Sequence, residues 1–356
     1  MANHNQPFNA CAVACGDDGR ADGVPVLDKP FKLTICVTQS CGMDCKLCYA
    51  DCGANPHGEL STEQWKAFID QLVAEGFLHI FFEGGEPFHR PDFEELLTHC
   101  RRRLFVAIRT HAADIDAARA HRLKALGVGR LYVDLFAAVP EVQDALTGRA
   151  GSYDAAIAGI RAARAAGIKV TILGILSRKN HLHLQRYLDL AQELGCDQLG
   201  VLRLYPLGRA KRNWAELSLS LDEMMTALHS LRVPPGVQVM QSWHPRDGNC
   251  CWQNAAVSPH GESIGCPYLR EYVNYGSILE RPFIETWNHP LYRELRANAV
   301  EQTCPECSAT QGTYGGCRST AYAFHGRWSA ADPYCTHLNG GTDLRALPQR
   351  LLRENS

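Results

Sequence analysis

Long apolar runs are missing from this sequence. No uninterrupted apolar stretch reaches the roughly 20 residues that a membrane-spanning helix needs. The first ten residues, MANHNQPFNA, also lack the apolar h-region of a secretory signal peptide. The sequence therefore predicts neither a membrane partner nor an export signal, and we expect a cytoplasmic protein.

An excess of charge of either sign is missing as well. Lys and Arg number 36 against 38 Asp and Glu, which gives a formal net charge of −2. No long basic run is present, and proteins that bind nucleic acid need positive surface to meet the phosphates. No nucleic-acid partner is therefore expected. With 356 residues, 46% of them hydrophobic, the chain can form one large α/β domain and a smaller appendage.

Cysteine, in contrast, is abundant, with 16 residues in the chain. Secreted disulfide scaffolds are also rich in cysteine, but they are small and have little hydrophobic core. This chain has ample core and no export signal, and cytosolic thiols stay reduced. Metal or cluster ligation is therefore favoured over disulfide bonds.

The most informative cysteines are Cys41, Cys45 and Cys48, spaced C-x3-C-x2-C. They directly follow residues Lys32 to Thr38, whose β-branched and apolar side chains predict a strand. Three thiolates on one short loop can hold three corners of an iron–sulfur cluster, which normally has four cysteine ligands. The fourth iron then stays open, as one position of a catalytic zinc does. A zinc site is the alternative for these three cysteines alone.

Strand and helix patterns alternate after this loop. Further strands are predicted over Leu78–Phe82, Leu104–Arg109, Arg130–Leu135, Lys169–Leu176 and Gln198–Leu204. Helices are predicted from Ser61 to about Glu75 and over Asp92–Arg101, Ile115–Leu126, Ser152–Ala166, His181–Leu194 and Ser220–Leu231. Six such units are too few for a closed eight-stranded barrel. The predicted fold class is α/β, a partial (β/α)6 TIM-type barrel with active residues at the carboxyl ends of its strands.

Composition divides the chain further. Residues 1–30 read as a loose N-terminal arm that contains Cys11 and Cys15, and residues 31–235 form the predicted barrel. Residues 236–345 are expected to form a small, Cys-rich α+β domain, followed by a tail over 346–356. This second domain has short Gly-rich segments and seven cysteines, so it would be marginal without bound metal.

Residues Gly84, Gly85, Glu86 and Pro87 follow the second predicted strand, at the same sheet edge as the cysteine loop. Glycines let the backbone approach a ligand closely, and a carboxylate offsets a ligand's ammonium group. Together with C-x3-C-x2-C, this segment resembles the radical S-adenosylmethionine (SAM) enzymes. That resemblance implies a 4Fe–4S cluster on the three cysteines, SAM on the open iron and the SAM amino group at this segment.

The same resemblance implies polar SAM contacts after later strands. Asp134, in VDLF on the fourth strand, stands where family members often contact the ribose. Ser177 and Arg178 follow the fifth strand, where ribose and carboxylate contacts are common. The alternative is that all three are ordinary polar loop residues, and His181 and His183 are expected to begin a helix without chemistry. No catalytic residue is assigned.

The C-terminal cysteines resemble the SPASM domain, which carries two auxiliary iron–sulfur clusters in peptide- and protein-modifying members. The matching positions are Cys250 or Cys251, Gly261, Cys266, Cys304, Cys307, Cys317 and Cys335. A zinc ribbon could use one C-x2-C pair, but it would not need the other cysteines. The resemblance covers roughly residues 32 to 340, and the two clusters are expected to be 4Fe–4S or 2Fe–2S.

Within this class, the segment from Cys304 to Cys335 is most similar to the enzyme of pyrroloquinoline quinone synthesis that cross-links Glu and Tyr in a peptide. That similarity places Cys317 on the first auxiliary cluster, with Cys266 and Cys250 or Cys251. It places Cys335 on the second cluster, with Cys304 and Cys307.

Two positions depart from the family pattern. Thr313 stands where an Asp or Cys ligand is expected, which predicts an open iron on the second cluster unless His325 or Cys15 completes the set. Pro267 stands where sulfatase-maturating members carry a basic Asp, which weakens a sulfatase-maturation interpretation.

The resemblance implies a sequence of chemical steps. The reduced cluster gives one electron to SAM, and the resulting 5′-deoxyadenosyl radical abstracts a substrate hydrogen atom. Auxiliary clusters could accept the electron left on the substrate, so the net reaction would be an oxidation by two electrons. An electron donor such as a flavodoxin or ferredoxin is an expected partner of this oxidoreductase.

Two substrate hypotheses remain open at this point. The first is modification of a ribosomal peptide by cross-link, thioether or epimerisation, with a separate peptide-recognition protein. The second is oxidation or epimerisation of a small molecule, such as a sugar or cyclitol, in natural-product biosynthesis. A cluster protein that only transfers electrons is disfavoured because its SAM motif would be idle.

Overall fold

A parallel sheet forms the centre of the molecule in the computed structural model, which describes residues 27–53, 56–241, 253–297, 300–302 and 316–353. Its strands are β1 Lys32–Cys36, β2 His79–Glu83, β3 Phe105–Thr110, β4 Val128–Asp134, β5 Lys169–Ile175, β6 Gln198–Leu202, β7 Gln238–Gln241 and β8 Asn254–Val257. The strand order is β7-β6-β5-β4-β3-β2-β1-β8, and all seven pairings are parallel. The predicted partial α/β barrel is confirmed.

Helices connect the strands. They are α1 Thr62–Ala74, α2 Phe93–Cys100, α3 Ala117–Ala125, α4 Pro140–Thr147, α5 Ser152–Ala165, α6 Leu184–Glu193, α7 Gly208–Arg212, α8 Trp214–Leu217, α9 Leu221–His229, α10 Phe283–Trp287, α11 Pro290–Ala297, α12 Arg318–His325 and α13 Gln349–Arg353. Each of the six predicted helices is present with ends that differ by a few residues. His181–His183 forms a 3-10 turn ahead of α6, as a helix start was expected there.

The sheet extends past the predicted domain boundary. Strands β7 and β8 follow residue 235, and they add to opposite edges of the six-stranded sheet, against β6 and β1. Both are only four residues long. Such short segments give little periodicity, and their edge positions depend on partners far away in the sequence. The sheet therefore continues past residue 235, where the sequence predicts the end of the barrel. The predicted domain boundaries at residues 30, 235 and 345 remain predictions.

Helices α4, α7 and α8 were not predicted from the sequence. Helix α4 has a local signal, since Pro140 occupies its first turn and Gly148 ends it with φ of 67°. Helices α7 and α8 have five and four residues, too few for a periodic pattern. Helices α4 and α7 follow strands β4 and β6 at their carboxyl ends, where the functional residues were expected.

The core lies between the sheet and the helices. Successive residues of β1, from Leu33 to Cys36, are all buried, as is usual for a parallel strand covered on both faces. Helix α1 begins with the predicted N-cap Ser61, whose side chain and that of Gln64 form a capping box. Its Phe68 packs edge-on against Phe283 of α10, with ring centroids 5.9 Å apart. This contact joins the C-terminal region to the barrel.

No helix in the described parts of the chain is long and apolar enough to cross a membrane.

Candidate functional site

The three loop cysteines line one cavity at the carboxyl ends of the strands. Cys41, Cys45 and Cys48 share this cavity with Gly84 and Gly85, as the position of both motifs at strand ends predicts. The other lining residues are Met43, Leu47, Tyr49, Ala50, Cys52, Glu83, Arg109, His111, Asp134, Phe136, Thr147, Ile175 and Arg209. The cavity thus combines thiols, charged side chains and apolar walls.

Helix α4 and the turn after it hold one side of the cysteine loop. The backbone N–H groups of Asp44 and Lys46 donate to the carbonyls of Thr147 and Leu146, at 2.9 and 2.8 Å. A Cβ on Gly148 would lie 3.0 Å from the Asp44 carbonyl oxygen, so a glycine lets the loop approach this closely. The loop conformation therefore depends on an element more than 90 residues further along the chain.

Helix α7 holds the other side of the loop. Arg209 donates through Nε to the Cys45 carbonyl at 3.0 Å and through Nη1 to the Cys52 carbonyl at 2.6 Å. A Cβ on Gly208 would lie 2.8 Å from the carbonyl oxygens of Cys48 and Tyr49. Three of these four contacts involve a predicted ligand or its neighbour: Cys45, Cys48 and Tyr49. Helix α7 therefore helps to fix the backbone that carries their thiols.

Burial and neighbouring groups shift the pKa values of the three loop thiols. Burial raises the pKa of Cys41 to about 11, and burial and the neighbouring thiols raise the pKa of Cys45. The pKa of Cys48 is lowered to about 6, chiefly by a hydrogen bond from the Cys52 side chain. Thiols bind a metal as thiolates, and a bound cation would offset the raised pKa values of Cys41 and Cys45; all three thiols are free of disulfides. The donor set fits an iron–sulfur cluster.

Gly84 and Gly85 are required by the packing of the cysteine loop. A Cβ would lie 2.3 Å from the Thr38 carbonyl oxygen at Gly84 and 2.2 Å from that of Ser40 at Gly85. The Gly85 N–H donates to the Thr38 carbonyl at 2.7 Å, and the Glu86 N–H donates to the Ser40 carbonyl at 2.8 Å. The two motifs that the sequence pairs thus touch through their backbones.

The Glu86 carboxylate is fully buried and has protein partners. It accepts hydrogen bonds from the Thr110 hydroxyl at 2.8 and 2.9 Å and from the backbone N–H groups of His111 and Phe88 at 2.9 and 3.2 Å. The described cavity lining includes Gly84 and Gly85 but neither Glu86 nor Pro87. A role of Glu86 toward the SAM amino group therefore remains a prediction. Its observed role is to accept hydrogen bonds from Thr110 and His111 at the carboxyl end of β3.

Asp134 lies in the cavity lining but is already paired. Arg109 at the end of β3 binds both of its carboxylate oxygens, with N–O distances of 2.9 to 3.1 Å. At the end of β2, Glu83 accepts a 2.6 Å hydrogen bond from the Tyr49 hydroxyl, and one of its oxygens lies 3.7 Å from Arg109. Neighbouring strands thus end in a charged network in the cavity.

Sequence reasoning missed four members of this site: Tyr49, Glu83, Arg109 and Arg209. Glu83 directly follows a predicted strand and Arg109 ends one, so the rule that selected Asp134 could have selected them. Arg209 carried no such signal because its helix was not predicted.

Ser177 and Arg178 do not line this cavity in the described structure. Ser177 is buried, and its N–H and hydroxyl donate to the Asn180 side-chain oxygen at 2.8 and 3.2 Å. Arg178 donates to the Ser218 carbonyl at 3.2 and 3.0 Å. Their observed partners belong to the loop after β5 and to the C-terminal end of α8, and their predicted SAM contacts remain predictions.

A group of His89, His111 and Asp114 lies beside the site at distances typical of metal ligands. The Asp114 carboxylate oxygen is 3.3 Å from His89 Nε2 and 3.8 Å from His111 Nε2, which lies 3.2 Å from Glu86. However, the Ala113 N–H donates to His111 Nδ1 at 3.1 Å, so a neutral ring carries its proton on Nε2. A protonated Nε2 cannot bind a metal, so this tautomer does not complete a metal site. Nε2 lies near the two carboxylates but has no hydrogen-bond partner among the described residues.

The C-terminal cysteines are described only in part. Cys266 and Cys335 are almost completely buried, and burial raises the pKa of the Cys317 thiol, to which the charge of nearby Cys266 adds. These thiols are free of disulfides, and the grouping of Cys317 and Cys266 on one cluster remains a prediction. The remaining predicted positions lie outside the described residues: Cys11, Cys15, Cys250, Cys251, Cys304, Cys307 and Thr313.

Two known protein families match the barrel and the C-terminal region of this chain. Residues 35–200 match the model of the radical SAM superfamily, and residues 250–308 match SPASM, an iron-sulfur cluster-binding domain. The crystal structure of SuiB from Streptococcus suis bound to S-adenosylmethionine superposes with a TM-score of 0.69, covering 87% of this chain and 78% of SuiB. At 16% identity, this likeness concerns the fold.

Curated relatives extend over most of the chain. Mycofactocin maturase MftC of Mycobacterium tuberculosis is 30% identical over 331 residues, which cover 87% of this chain and 83% of the relative. PqqA peptide cyclase of Streptomyces rochei is 29% identical over 339 residues, which cover 87% of this chain and 90% of the cyclase. The chain therefore belongs to the radical SAM superfamily and carries a SPASM domain after its barrel.

Proposed function

We propose that the protein uses SAM to modify a ribosomal peptide oxidatively, by a cross-link, a thioether or an epimerisation. The observation that carries this proposal is the cavity in which three free thiols meet the Gly84–Gly85 backbone. The peptide substrate is supported by the names of two relatives, a mycofactocin maturase and a PqqA peptide cyclase. A SuiB structure with similar fold was solved with its precursor peptide SuiA.

In this proposal, Cys41, Cys45 and Cys48 hold a 4Fe–4S cluster. When bound, the cluster supplies the electron that cleaves SAM to a 5′-deoxyadenosyl radical, which abstracts a substrate hydrogen atom. The segment from Gly84 to Pro87 binds the SAM amino group, with Glu86 as the carboxylate. Asp134 contacts the ribose through the part of its carboxylate that Arg109 leaves accessible.

The charged network of the cavity would position the reactants. Arg109 and Tyr49 fix the carboxylates of Asp134 and Glu83, so these groups are oriented before a ligand enters. The apolar walls, which include Phe136, exclude water from a reactive radical.

The C-terminal cysteines would hold two auxiliary clusters that accept the electron left on the substrate. Cys266 and Cys317 belong to the first, with Cys250 or Cys251, and Cys335 belongs to the second, with Cys304 and Cys307. For a cross-link or a thioether, the overall reaction is then an oxidoreductase reaction that removes two electrons from the peptide, whereas an epimerisation removes none. A flavodoxin or ferredoxin would reduce the first cluster, and a separate protein would present the peptide.

The test is a reaction of the anaerobically reconstituted protein with SAM, a reductant and short peptides encoded near its gene. We expect 5′-deoxyadenosine together with a peptide that has lost two hydrogen atoms or, for epimerisation, has exchanged one with solvent, both detected by mass spectrometry. Oxidation of a sugar or cyclitol, with all peptides unchanged, would contradict the peptide substrate. Absence of 5′-deoxyadenosine in every reaction would contradict the radical SAM chemistry.

A further inference from the structure

A buried ion pair joins the barrel to the C-terminal cysteines. Arg203 follows strand β6, and its Nη1 lies 2.7 Å from Asp332 Oδ2. The Arg203 side chain is 3% exposed and that of Asp332 is fully buried. Taking two charges out of water is costly, so a pair at this depth needs good geometry and further hydrogen bonds. Asp332 has these bonds.

Asp332 binds the backbone N–H groups of Cys317 and Cys335. The N–H of Cys317 donates to Asp332 Oδ2 at 2.7 Å, the same oxygen that meets the guanidinium. The N–H of Cys335 donates to the backbone carbonyl of Asp332 at 2.9 Å. Between them, the N–H of Tyr334 donates to Asp332 Oδ1 at 3.1 Å. The side chain and the backbone carbonyl of Asp332 therefore fix the backbone positions of Cys317 and Cys335.

The barrel side of the contact is equally specific. The Arg203 guanidinium lies over the Tyr334 ring, 4.6 Å from its centroid. The Tyr334 hydroxyl donates to the carbonyl of Leu204 at 3.1 Å. Arg203 also donates to the hydroxyl of Thr320, in the first turn of α12, at 3.4 Å. Residues 203 and 204 thus contact both the segment 332–335 and helix α12, which follows Cys317.

We propose that the Arg203–Asp332 ion pair is a positioning element that orients Cys317 and Cys335, and with them both auxiliary clusters, against the carboxyl end of the barrel. This inference rests on the proposed function, because it takes these cysteines as ligands of different auxiliary clusters. Neither Arg203 nor Asp332 touches a reacting atom in this proposal. They act through the cysteines that they place.

The pair should also affect cluster reduction, with a sign that depends on the residue removed. A cluster becomes more negative when it accepts an electron, so a nearby guanidinium favours the reduced form and a nearby carboxylate disfavours it. Hydrogen bonds around cluster ligands and net charge are both known to set cluster potentials. Loss of Arg203 should therefore lower the midpoint potential of the Cys317 cluster, and loss of the Asp332 charge should raise it.

The test is an EPR-monitored redox titration of the anaerobically reconstituted full chain. Signals that do not respond to added SAM are taken as auxiliary, and the SAM-responsive signal serves as the internal reference. For Arg203→Gln we expect a downward shift of the Cys317 cluster, and for Asp332→Asn an upward shift. Glu193→Gln, which breaks the exposed pair with Arg186 on helix α6, is the matched control and should leave both auxiliary signals unchanged.

Two results would overturn the inference. One is that both single variants keep the wild-type potentials and line shapes with full iron content. The other is that both shift the potential in the same direction, which is what a general loosening of the fold would produce.

A paired variant covers the case in which a single substitution prevents folding. Arg203→Met/Asp332→Asn leaves no unpaired buried charge and keeps an oxygen that can accept the Cys317 N–H, so we expect it to fold and to show altered g values for both auxiliary signals. Wild-type g values in this variant would overturn the inference.

The same experiment separates this inference from the proposed function. Wild-type protein without any SAM-insensitive cluster signal would remove the auxiliary clusters, and the inference would fall with them. If the two opposite shifts appear but no peptide is modified, the substrate assignment is wrong and the positioning role stands.

Discussion

The cysteine loop after β1 and the cysteines of the C-terminal region are attached to the barrel in different ways. Cys41, Cys45 and Cys48 lie within eight residues, and main-chain hydrogen bonds from α4 and the Gly84–Gly85 segment surround them. Cys317 and Cys335 are 18 positions apart, and one buried residue, Asp332, binds the first through its carboxylate and the second through its backbone carbonyl. The first site uses close backbone packing, and the second uses one charged side chain.

The difference shows two ways to fix a thiol. Backbone contacts depend on the absence of side chains, so glycines at the contact points are what the first site cannot lose. A buried ion pair depends on the presence of both partners, so the second site should fail abruptly when one is removed. Substitutions can therefore affect one region and spare the other.

The largest effect is expected from removal of the loop thiols. Cys41→Ala/Cys45→Ala/Cys48→Ala should abolish SAM cleavage and remove about one cluster's iron, since no other group supplies the open iron site. The auxiliary iron should remain, because its ligands lie in the other region. The measurements are iron content and 5′-deoxyadenosine formation. Cys196→Ala, at a buried thiol after α6, is the control and should keep both; continued SAM cleavage by the triple variant would contradict the assignment.

The next effect concerns the stability of the second region. Arg203→Met alone leaves Asp332 buried without its partner, which should destabilise the protein by about 3–5 kcal/mol. Arg203→Met/Asp332→Asn should recover most of that loss, because no charge is then unpaired and the Asn oxygen can still accept the Cys317 N–H. Denaturant unfolding of the reconstituted proteins measures both. A double variant less stable than the single one would show that packing, rather than charge, dominates at this contact.

A smaller effect is expected at the backbone contact of the first region. In Gly85→Ala, the added Cβ would meet the Ser40 carbonyl oxygen at 2.2 Å, so strand and loop must separate at a cost of about 1–3 kcal/mol. SAM affinity should fall with the displaced loop. The control is Gly53→Ala at the end of the cysteine loop, where nothing lies within 4 Å of the new Cβ. Equal stability and SAM binding in the two variants would argue against the backbone contact.

The smallest effect is expected at the carboxylate of the glycine segment. Glu86→Gln keeps the shape of the side chain but removes the charge that would meet the SAM ammonium, so SAM should bind about tenfold more weakly. Iron content should not change. Equilibrium binding of SAM gives the affinity, and Glu216→Gln, which breaks half-exposed pairs with Lys46 and Lys179, is the control. Unchanged affinity for SAM would leave Glu86 only its observed role, which is to accept hydrogen bonds at the carboxyl end of β3.

Much of the barrel could be read from local patterns. The six predicted strands and six predicted helices exist because each repeats apolar residues over enough positions to signal its period. Strands β7 and β8 and helices α7 and α8 are too short for such a signal. The polar network of the cavity was found only in part, since Asp134 was selected while its partner Arg109 was not.

The sequence by itself determined the chemistry of the first site. Cys41, Cys45 and Cys48 lie close together along the chain, and short loops bring their thiols together in almost any fold. The same reasoning covers Gly84 and Gly85, which follow a strong strand signal. Local spacing and residue type therefore carry this information without any distant contact.

Only the tertiary structure decided which distant groups hold and complete these sites. Arg209 reaches the cysteine loop across 157 residues of sequence, and Arg203 reaches Asp332 across 129. Such pairs leave no periodic signal, because their energy comes from burial and hydrogen-bond geometry that exist only after folding. For the same reason Ser177, selected by its position after β5, points instead to Asn180 within its own loop.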